Sequence, residues 1–323
     1  MLEYGLNKAD GLRRLRMSEY VIETNGLTKE YDGVKVVNDV GIHLRKGKIY
    51  GLLGRNGAGK TTIMKMILGL TSVTSGDISV FGNAVAQYDK KILSRIGAII
   101  ETPGFYPNLT GTENLEIFAR LRGLKEKDTV KKALEVVGLP YADKKTFAKY
   151  SLGMKQRLGI ANAIMHDPEL LILDEPTNGL DPIGIAEVRE FLKKLCEESN
   201  KTILISSHIL SEIALLADDI GIIHKGVLLE EESMEELEKK TASYFALQVS
   251  DALKTISILE NRFKISDYSV LDNNVIHLFE ESVNMSEINK AIIENGIDVL
   301  SSASCNKTLE DYFREITGGE GIA

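Results

Sequence analysis

The sequence predicts an α/β protein with a buried parallel sheet, followed by a smaller α+β domain. Three observations support this fold class. The apolar run 49–53 leads into a glycine-rich loop and a helix, the apolar runs 170–173 and 202–206 end in polar side chains, and the pattern changes after residue 240. Continuous apolar runs are typical of parallel strands buried on both faces. With 323 residues, the chain is long enough for two domains.

Composition and charge narrow the classes of protein that fit. A formal net charge of −8 argues against a nucleic-acid binder, which would carry a basic face. Cys196 and Cys305 are far apart, so they are interpreted as ordinary buried or half-buried thiols in a reducing cytosol. No apolar run approaches the roughly 18 residues of a membrane-spanning helix, and no signal-peptide pattern occurs. Any membrane segment is therefore expected in a partner.

Residues 1–16 carry Lys8, Arg13, Arg14 and Arg16 among a few leucines. A basic helix lying on a membrane surface is one interpretation of this pattern. We favour a disordered extension or a misassigned start, because Met17 begins a segment that runs directly into the first strand.

The segment from Tyr20 to Leu44 alternates in the manner of β-strands and contains the turn Asp32-Gly33. It predicts an antiparallel β layer that precedes the strand 49–53. Tyr31 lies on this layer. On composition alone, an aromatic residue in a strand is more often a packing residue than a nucleotide contact.

Residues 54–62 have the G-x-x-x-x-G-K-[ST] spacing of a phosphate-binding loop, with a strand before it and a helix predicted at 62–70 behind it. Glycines allow a tight turn whose N–H groups face phosphate oxygens, and the helix N-terminus adds a favourable dipole. Lys60 is expected to reach the β- and γ-phosphates, and Thr61 to bind Mg²⁺. A plain glycine-rich turn is the alternative in a chain with 28 glycines, and the flanking strand and helix argue against it. The predicted nucleotide contacts are Gly54, Arg55, Asn56, Gly57, Ala58, Gly59, Lys60, Thr61 and Thr62.

Strands are predicted at 77–81 and 96–100, the second ending at Glu101. Residues 112–122, with Thr112 as the expected N-cap, and residues 127–138 have helical spacing. The segment from 102 to about 165 is therefore predicted to be a helical insertion between strands.

The strand 170–173 ends in Asp174 and Glu175, and the strand 202–206 ends in Ser207 and His208. In open α/β sheets the carboxyl ends of strands are where ligands bind. Beside a phosphate loop, Asp174 is expected to hold Mg²⁺, Glu175 to activate a water and His208 to contact the γ-phosphate. The alternatives, a solvated acidic pair and a structural histidine, are less favoured in this context.

Residues 241–323 predict a small accessory domain. Its strands and helices follow the order β-α-β-β-α-β, which suggests a ferredoxin-like fold, and a closing helix follows at 309–316. It contains no catalytic constellation. Regulation, dimer contact, partner docking and a purely structural role all fit.

Residues 19–240 resemble the ATP-binding subunits of ABC transporters, so residues 17–240 are predicted to form an ABC ATPase domain. The segment 150–157, Tyr-Ser-Leu-Gly-Met-Lys-Gln-Arg, resembles the ABC signature, which ordinary P-loop kinases and GTPases lack. Tyr31 occupies the place of the aromatic that stacks on adenine in that family, and the segment 178–181 follows the acidic pair in the family's order.

The resemblance implies how the chain works. Two subunits sandwich two ATP molecules, so that the signature residues Ser151 and Gly153 of one subunit complete the site of the other, and a homodimer is expected. Asp181 is also assigned to nucleotide binding. It also implies an integral membrane permease as partner, a location at the cytoplasmic face of the membrane, and no nucleic-acid partner. Catalysis is assigned to Glu175, His208 and Lys60.

Two departures from the family pattern point to a branch. Glu101 stands where most members have glutamine, and Leu152 and Met154 replace residues of the usual Leu-Ser-Gly-Gly-Gln. Together they resemble the bacitracin-resistance and lantibiotic-immunity branch. Glu101 could bind Mg²⁺, but an ionised carboxylate only accepts hydrogen bonds whereas glutamine also donates.

Other functions stay open at this point. The exporter could carry an unrelated substrate, such as sodium, a lipid or a small drug. A soluble ABC ATPase acting on the ribosome or DNA is less favoured, because such members carry two ATPase halves or a long coiled coil. A small-molecule kinase is disfavoured by the signature.

Overall fold

The computed structural model describes residues 19–84, 90–101, 104–124, 128–241, 244–271, 274–279, 284–305 and 308–319. The predicted extension 1–16 and the turn residues 272–273 lie outside these ranges. The chain divides into two compact units, the first reaching Met234 and the second beginning at Glu235. Among the described residues no helix has both the length and the apolar character needed to cross a bilayer.

The first unit combines two sheets with helices. In chain order it contains β1 (Tyr20–Tyr31), β2 (Val34–Val40), β3 (His43–Arg45), β4 (Ile49–Leu53), α1 (Lys60–Ile67), β5 (Ser75–Val80), β6 (Asn83–Ala84), α2 (Lys90–Leu93), β7 (Ile96–Ile99), α3 (Gly111–Leu121), α4 (Thr129–Val136), α5 (Leu152–Ile164), β8 (Leu170–Asp174), α6 (Pro182–Ser199), β9 (Thr202–Ser207), α7 (Leu210–Ala214), β10 (Asp219–His224) and β11 (Val227–Ser233).

The antiparallel layer predicted near the N-terminus is present. Its strands follow the order β2-β1-β5-β6, with β3 also paired to β1. Side chains from this layer, among them Ile22, Leu27 and Val80, join one apolar core with Ile63 and Met64 of α1. The core therefore lies directly under the helix that follows the phosphate loop.

The central sheet has the order β11-β10-β4-β9-β8-β7, in which β10, β4, β9, β8 and β7 are parallel. Every residue of β8 and β9 is buried, as their continuous apolar runs predict. Strand β9 lies between β4 and β8, although it follows both in the chain. The carboxyl ends of three neighbouring strands therefore meet at one edge of the sheet.

Among the described residues between β7 and β8, the chain forms three α-helices, α3, α4 and α5, and a short 3-10 helix (Phe147–Lys149). The prediction that Thr112 caps α3 is wrong, because the cap is Thr110. Its hydroxyl accepts a hydrogen bond from the Glu113 N–H at 3.2 Å, and the Glu113 carboxylate accepts one from the Thr110 N–H at 2.7 Å. Thr110 and Glu113 have the spacing of a capping box. The Thr112 hydroxyl instead donates to the carbonyl of Tyr141.

The helix α8 (Met234–Lys240) begins at the boundary between the units. The second unit continues with β12 (Tyr244–Val249), α9 (Ala252–Ile258) and a π-helical turn (Leu259–Phe263), β13 (Tyr268–Leu271), β14 (Val275–Leu278), α10 (Met285–Glu294), β15 (Val299–Cys305) and α11 (Leu309–Ile316). Its antiparallel sheet has the order β13-β14-β12-β15, and the unit has its own apolar core around Leu247, Ile276 and Ile292. The ferredoxin-like assignment of this unit stays a prediction.

Candidate nucleotide site

The phosphate loop connects β4 to α1 and depends on glycine at two positions. Gly57 and Gly59 have φ angles of 82° and 110°, in the region that side chains with a Cβ rarely adopt. A Cβ on Gly59 would also lie 2.9 Å from the carbonyl oxygen of Val36. Asn56 and Gly57 are exposed at the tip of the loop, so its backbone is accessible to a ligand.

Lys60, the first residue of α1, is 5% exposed and turns back over the loop. Its ammonium group donates to the carbonyl oxygens of Gly54 at 2.5 Å and Arg55 at 3.2 Å. The Nζ atom also lies 3.1 Å from Oε1 of Glu175, close enough for an ion pair. That oxygen is buried and has no partner in hydrogen-bond geometry among the described residues. Lys60 and Glu175 thus meet where β4 and β8 end.

Asp174 ends β8 and is 8% exposed. Its Oδ2 accepts a hydrogen bond from the Thr61 hydroxyl at 2.7 Å, and its Oδ1 accepts one from the Ser206 hydroxyl at 2.6 Å. A hydroxyl and a carboxylate are hard oxygen ligands of the kind that Mg²⁺ prefers, and Mg²⁺ is commonly shared between one or two such groups and nucleotide phosphates. Thr61 and Asp174 therefore fit a magnesium ion bound together with a nucleotide.

Glu175 has a φ angle of 49°, which is uncommon for a residue with a side chain. Its Oε2 lies 2.6 Å from Nδ1 of His208, the residue that follows β9. Because an ionised carboxylate only accepts, His208 donates from Nδ1 in this contact. The structure therefore places Lys60 and His208 on either side of the Glu175 carboxylate, with Asp174 next to Glu175 in the chain.

Glu101 follows β7 and also has a left-handed backbone, with a φ angle of 62°. Its carboxylate accepts a hydrogen bond from the Lys65 ammonium at 2.6 Å. This hydrogen bond is the main cause of the raised pKa of Lys65. No hydrogen bond joins Glu101 to Thr61 or Asp174, all of which the structure describes. Glu101 is therefore connected to the site by its contact with Lys65 of α1, and not by a contact with Thr61 or Asp174, the other two predicted magnesium ligands.

Tyr31 ends β1 with 47% of its surface exposed. Its ring lies 4.6 Å from the Lys29 ammonium, and its hydroxyl lies 3.3 Å from Oγ1 of Thr71. Two anchoring contacts thus hold the ring at the surface, where a flat aromatic ligand could stack on it.

Ser151 and Asp181 are N-caps, of α5 and α6 respectively. The Ser151 hydroxyl accepts a hydrogen bond from the Met154 N–H at 3.2 Å, and Asp181 accepts one from the Gly184 N–H at 2.8 Å. Both residues are exposed, and with Gly153 they line a cavity of about 580 Å³. No residue of the phosphate loop lines this cavity, so within one chain these residues form a second cluster.

Ser206 was not predicted to be part of the site. It is the last residue of the run 202–206, which was assigned only to a buried strand, yet it faces Asp174 in the register of β8 and β9. The available signal was a hydroxyl residue two positions before His208, directly after the apolar residues 203–205.

These residues define a P-loop nucleotide-binding protein: a phosphate loop after one strand, an acidic pair after a second and a histidine after a third. The family described as ABC transporter matches residues 37–178. The bacitracin transport ATP-binding protein BcrA of Enterococcus faecalis is 53% identical over 309 residues, covering 96% of this chain and 100% of that protein. The lantibiotic transport ATP-binding protein SrtF of Streptococcus pyogenes is 46% identical, covering 67% of this chain and 95% of its own length.

Solved structures agree with this assignment. The structure of an ATP-binding subunit of an ABC transporter has a TM-score of 0.61 and 31% identity, and the match covers 68% of this chain and 92% of that one. The dimeric cassette MJ0796 has a TM-score of 0.60 at 23% identity, covering 66% of this chain and 98% of its own, and supports the fold alone. The chain belongs to the family of ABC transporter ATP-binding subunits. It binds ATP, and its enzymatic class is that of an ATPase. The comparisons confirm the predicted family and the predicted fold of the first unit.

Proposed function

We propose that this chain hydrolyses ATP to power an exporter of bacitracin-type or lantibiotic-type peptide antibiotics. The observation that carries the catalytic part is the Glu175 carboxylate, held between Lys60 and His208 where the central strands end. The cargo is inferred from similarity to BcrA over that protein's full length and to SrtF.

The phosphate-binding side of the site uses the loop and Lys60. The N–H groups of residues 54–62 and the Lys60 ammonium would surround the β- and γ-phosphates. The phosphate oxygens would compete for the Lys60 ammonium with the carbonyl oxygens of Gly54 and Arg55, to which it donates in this structure. Thr61 and Asp174 would hold Mg²⁺, with Glu101 as a further proposed ligand, and the bound ion would neutralise charge on the phosphate oxygens. Tyr31 offers its exposed ring to the adenine.

On the catalytic side, Glu175 would accept a proton from the attacking water and orient it. His208 is oriented by its Nδ1 contact with Glu175. With Nδ1 donating, the ring can donate from Nε2 to a phosphate oxygen only when both nitrogens carry protons. A hydrogen bond from His208 to the phosphate therefore requires the doubly protonated ring.

Completion of the site is assigned to a second copy of the chain. Ser151, Gly153 and Asp181 are proposed to face the phosphate loop of the partner, so that ATP closes a homodimer. Hydrolysis would open it and drive a separate integral membrane permease from the cytoplasmic face.

The test of the catalytic assignment is Glu175→Gln. This variant should bind ATP but hydrolyse it about 100-fold more slowly or worse, because the amide cannot accept the proton. Phosphate release and nucleotide binding are measured side by side. Glu190→Gln, which changes an exposed carboxylate of α6, is the control and should behave as wild type. Near-normal turnover of Glu175→Gln would remove this residue from the catalytic role.

The transporter assignment needs its own experiment. The complex is isolated from membranes in high salt, and its ATPase is assayed with bacitracin, a lantibiotic, sodium and an unrelated small drug. Stimulation by a peptide antibiotic is expected. Stimulation by another compound alone would reassign the cargo, and failure to co-purify with an integral membrane protein would overturn the transporter function.

A further inference from the structure

Ser206 lies in the middle of the central sheet and is completely buried. It is the second-to-last residue of β9, the strand between the one that carries the phosphate loop and the one that carries the acidic pair. In the register of β8 and β9 it lies directly opposite Asp174. A completely buried hydroxyl group needs hydrogen-bond partners, because burying it without them costs free energy.

Both of its partners belong to the acidic pair. The Ser206 hydroxyl donates to Oδ1 of Asp174 at 2.6 Å and accepts from the N–H of Glu175 at 2.9 Å. A hydroxyl has one proton, so donation to the carboxylate fixes its orientation and leaves its lone pairs for the N–H. One side chain therefore connects the carboxylate of Asp174 to the backbone of Glu175.

The consequences for the two carboxylates differ. Asp174 is held on Oδ1 by Ser206 from β9 and on Oδ2 by Thr61 from α1, so its carboxylate cannot rotate without breaking a short hydrogen bond. Glu175 has the left-handed φ angle of 49°, which directs its side chain toward Lys60 and His208. The hydrogen bond from its N–H to Ser206 anchors this unfavourable backbone conformation.

We propose that Ser206 is a positioning residue for ATP hydrolysis, which orients Asp174 toward the metal and holds the backbone turn that places Glu175. This inference rests on the proposed roles of Asp174 and Glu175. Ser206 touches neither nucleotide nor metal in this proposal and acts only through its two neighbours. Groups that hydrogen-bond to a metal ligand commonly change metal affinity about 10-fold to 100-fold when they are removed.

The experiment compares Ser206→Ala with Thr202→Ala in the full chain. Thr202 begins the same strand, is 2% exposed, and its hydroxyl accepts a hydrogen bond from the Gly47 N–H at 2.9 Å. Each variant removes a buried strand hydroxyl that accepts one backbone N–H. A purely structural role would therefore affect both variants alike.

The first readout is independent of turnover. Binding of Mn²⁺ in the presence of a non-hydrolysable ATP analogue is followed by electron paramagnetic resonance, and binding of the analogue without metal by fluorescence. Ser206→Ala should lower Mn²⁺ affinity about 10-fold or more and leave metal-free analogue binding unchanged, whereas Thr202→Ala should change neither.

The second readout is steady-state hydrolysis. Ser206→Ala should lower kcat about 10-fold or more with little change in KM for ATP, and it should raise the Mg²⁺ concentration needed for half-maximal rate. If Ser206→Ala does not fold, Ser206→Cys, with a weaker donor in a similar position, is tested in its place and should show the same effects in smaller degree.

Wild-type Mn²⁺ affinity in Ser206→Ala, or losses in Thr202→Ala of equal size, would overturn the positioning role. Asp174→Asn and Glu175→Gln separate this failure from a failure of the proposed function. If both abolish hydrolysis while Ser206→Ala does not, only the inference about Ser206 fails. If neither affects hydrolysis, the assigned site itself is wrong.

Discussion

At the scale of single residues, the site contains buried charged groups whose burial is compensated by nearby partners. Lys60 is 5% exposed and Asp174 is 8% exposed. Burying a charge is costly unless a partner compensates for it, and the two are compensated by loop carbonyls and hydroxyl groups respectively. Glu101 differs, because its carboxylate is 65% exposed and, among the residues that the structure describes, is paired with Lys65 alone. Its ion pair is therefore worth little in stability, and it can exchange partners readily.

A second group of charges lies away from the nucleotide, between β3, β4 and β11. The Glu231 carboxylate accepts hydrogen bonds from the His43 ring at 2.7 Å and from the Tyr50 hydroxyl at 2.8 Å. The hydrogen bond to Glu231 raises the pKa of His43. Burial alone would raise the pKa of Glu231, but hydrogen bonds from His43 and Tyr50 outweigh burial and lower it. The pair is therefore charged in slightly acidic solution.

The pH dependence of stability follows from the sign of the His43 shift. Because its pKa is raised on folding, the stability contributed by protonated His43 is fully present below its ordinary value of 6.5 and is lost as pH rises through the folded-state value. His43→Gln should lower the free energy of unfolding at pH 6 by about 0.5–1 kcal/mol, a small amount for a partly exposed group, and by less at pH 9. Urea denaturation at both pH values measures the difference.

Glu231→Gln provides the control for this pH effect. In that background only the weaker attraction of Glu23 remains, so the cost of His43→Gln should differ much less between the two pH values. If His43→Gln in the otherwise wild-type chain lowers the free energy of unfolding by the same amount at pH 6 and pH 9, the effect does not come from the charged pair of His43 and Glu231.

At the scale of secondary-structure elements, the signature helix α5 is fixed to the sheet by a close contact with β7. A Cβ on Gly97 would lie 2.2 Å from the carbonyl oxygen of Ala163, and also within 3 Å of side-chain atoms of Leu171 and Pro168. The nearest obstacle is backbone, so it cannot move aside as a flexible side chain could. Glycine at this position therefore allows α5 to pack on the strand.

Gly97→Ala should destabilise the first unit by about 1–3 kcal/mol, the usual cost of overpacking a core. The midpoint of urea unfolding measures this loss. Gly104→Ala is the matched control, because a Cβ there meets no atom of the described residues within 4 Å, and its cost should stay within about 0.5 kcal/mol. Equal midpoints for the two variants would show that α5 can shift to accept the methyl group.

Strands and helices were predictable from sequence where the residues that determine them lie within one segment. The strand Ile49–Leu53 and the closing helix Leu309–Ile316 occur at the predicted residues, since apolar periodicity and caps lie within one segment. The cap of α3 was misplaced by two residues, because Thr110 and Thr112 both suit an N-cap and only the former has a glutamate three residues on.

The parts that sequence could not supply depend on pairing between distant segments. Ser206 becomes part of the site only because β9 lies between β4 and β8 with Ser206 opposite Asp174. Neither strand order nor register is written in either apolar run, since a shift of one residue would direct Ser206 to the other face. The left-handed backbone of Glu175 was equally hidden, because the turn after β8 contains no glycine at that position.

At the scale of the whole molecule, the proposed catalytic cycle requires two chains. The phosphate loop, Asp174, Glu175 and His208 lie at the edge of one sheet, whereas Ser151 and Asp181 line a separate cavity. Ser151 and Asp181 are both exposed, although the side chain of each already accepts a hydrogen bond from an N–H group in the first turn of its helix. A helix N-terminus favours an anion, so α5 presents a suitable surface to the triphosphate of a partner chain.

The final prediction separates the capping role of Ser151 from its proposed contact with the partner's nucleotide. Aspartate and asparagine cap helices about as well as serine, so Ser151→Asp and Ser151→Asn should both preserve α5. Only aspartate places a negative charge against the γ-phosphate across the interface, and such like-charge contacts are strongly unfavourable. In a Glu175→Gln background, which preserves bound ATP, Ser151→Asp should weaken ATP-dependent dimerisation at least about 10-fold relative to Ser151→Asn. Light scattering after size-exclusion chromatography in Mg²⁺ and ATP measures the dimer, and ATP binding by the monomer should be the same in both variants. If the aspartate variant dimerises as well as the asparagine variant, Ser151 does not face the nucleotide of the second chain.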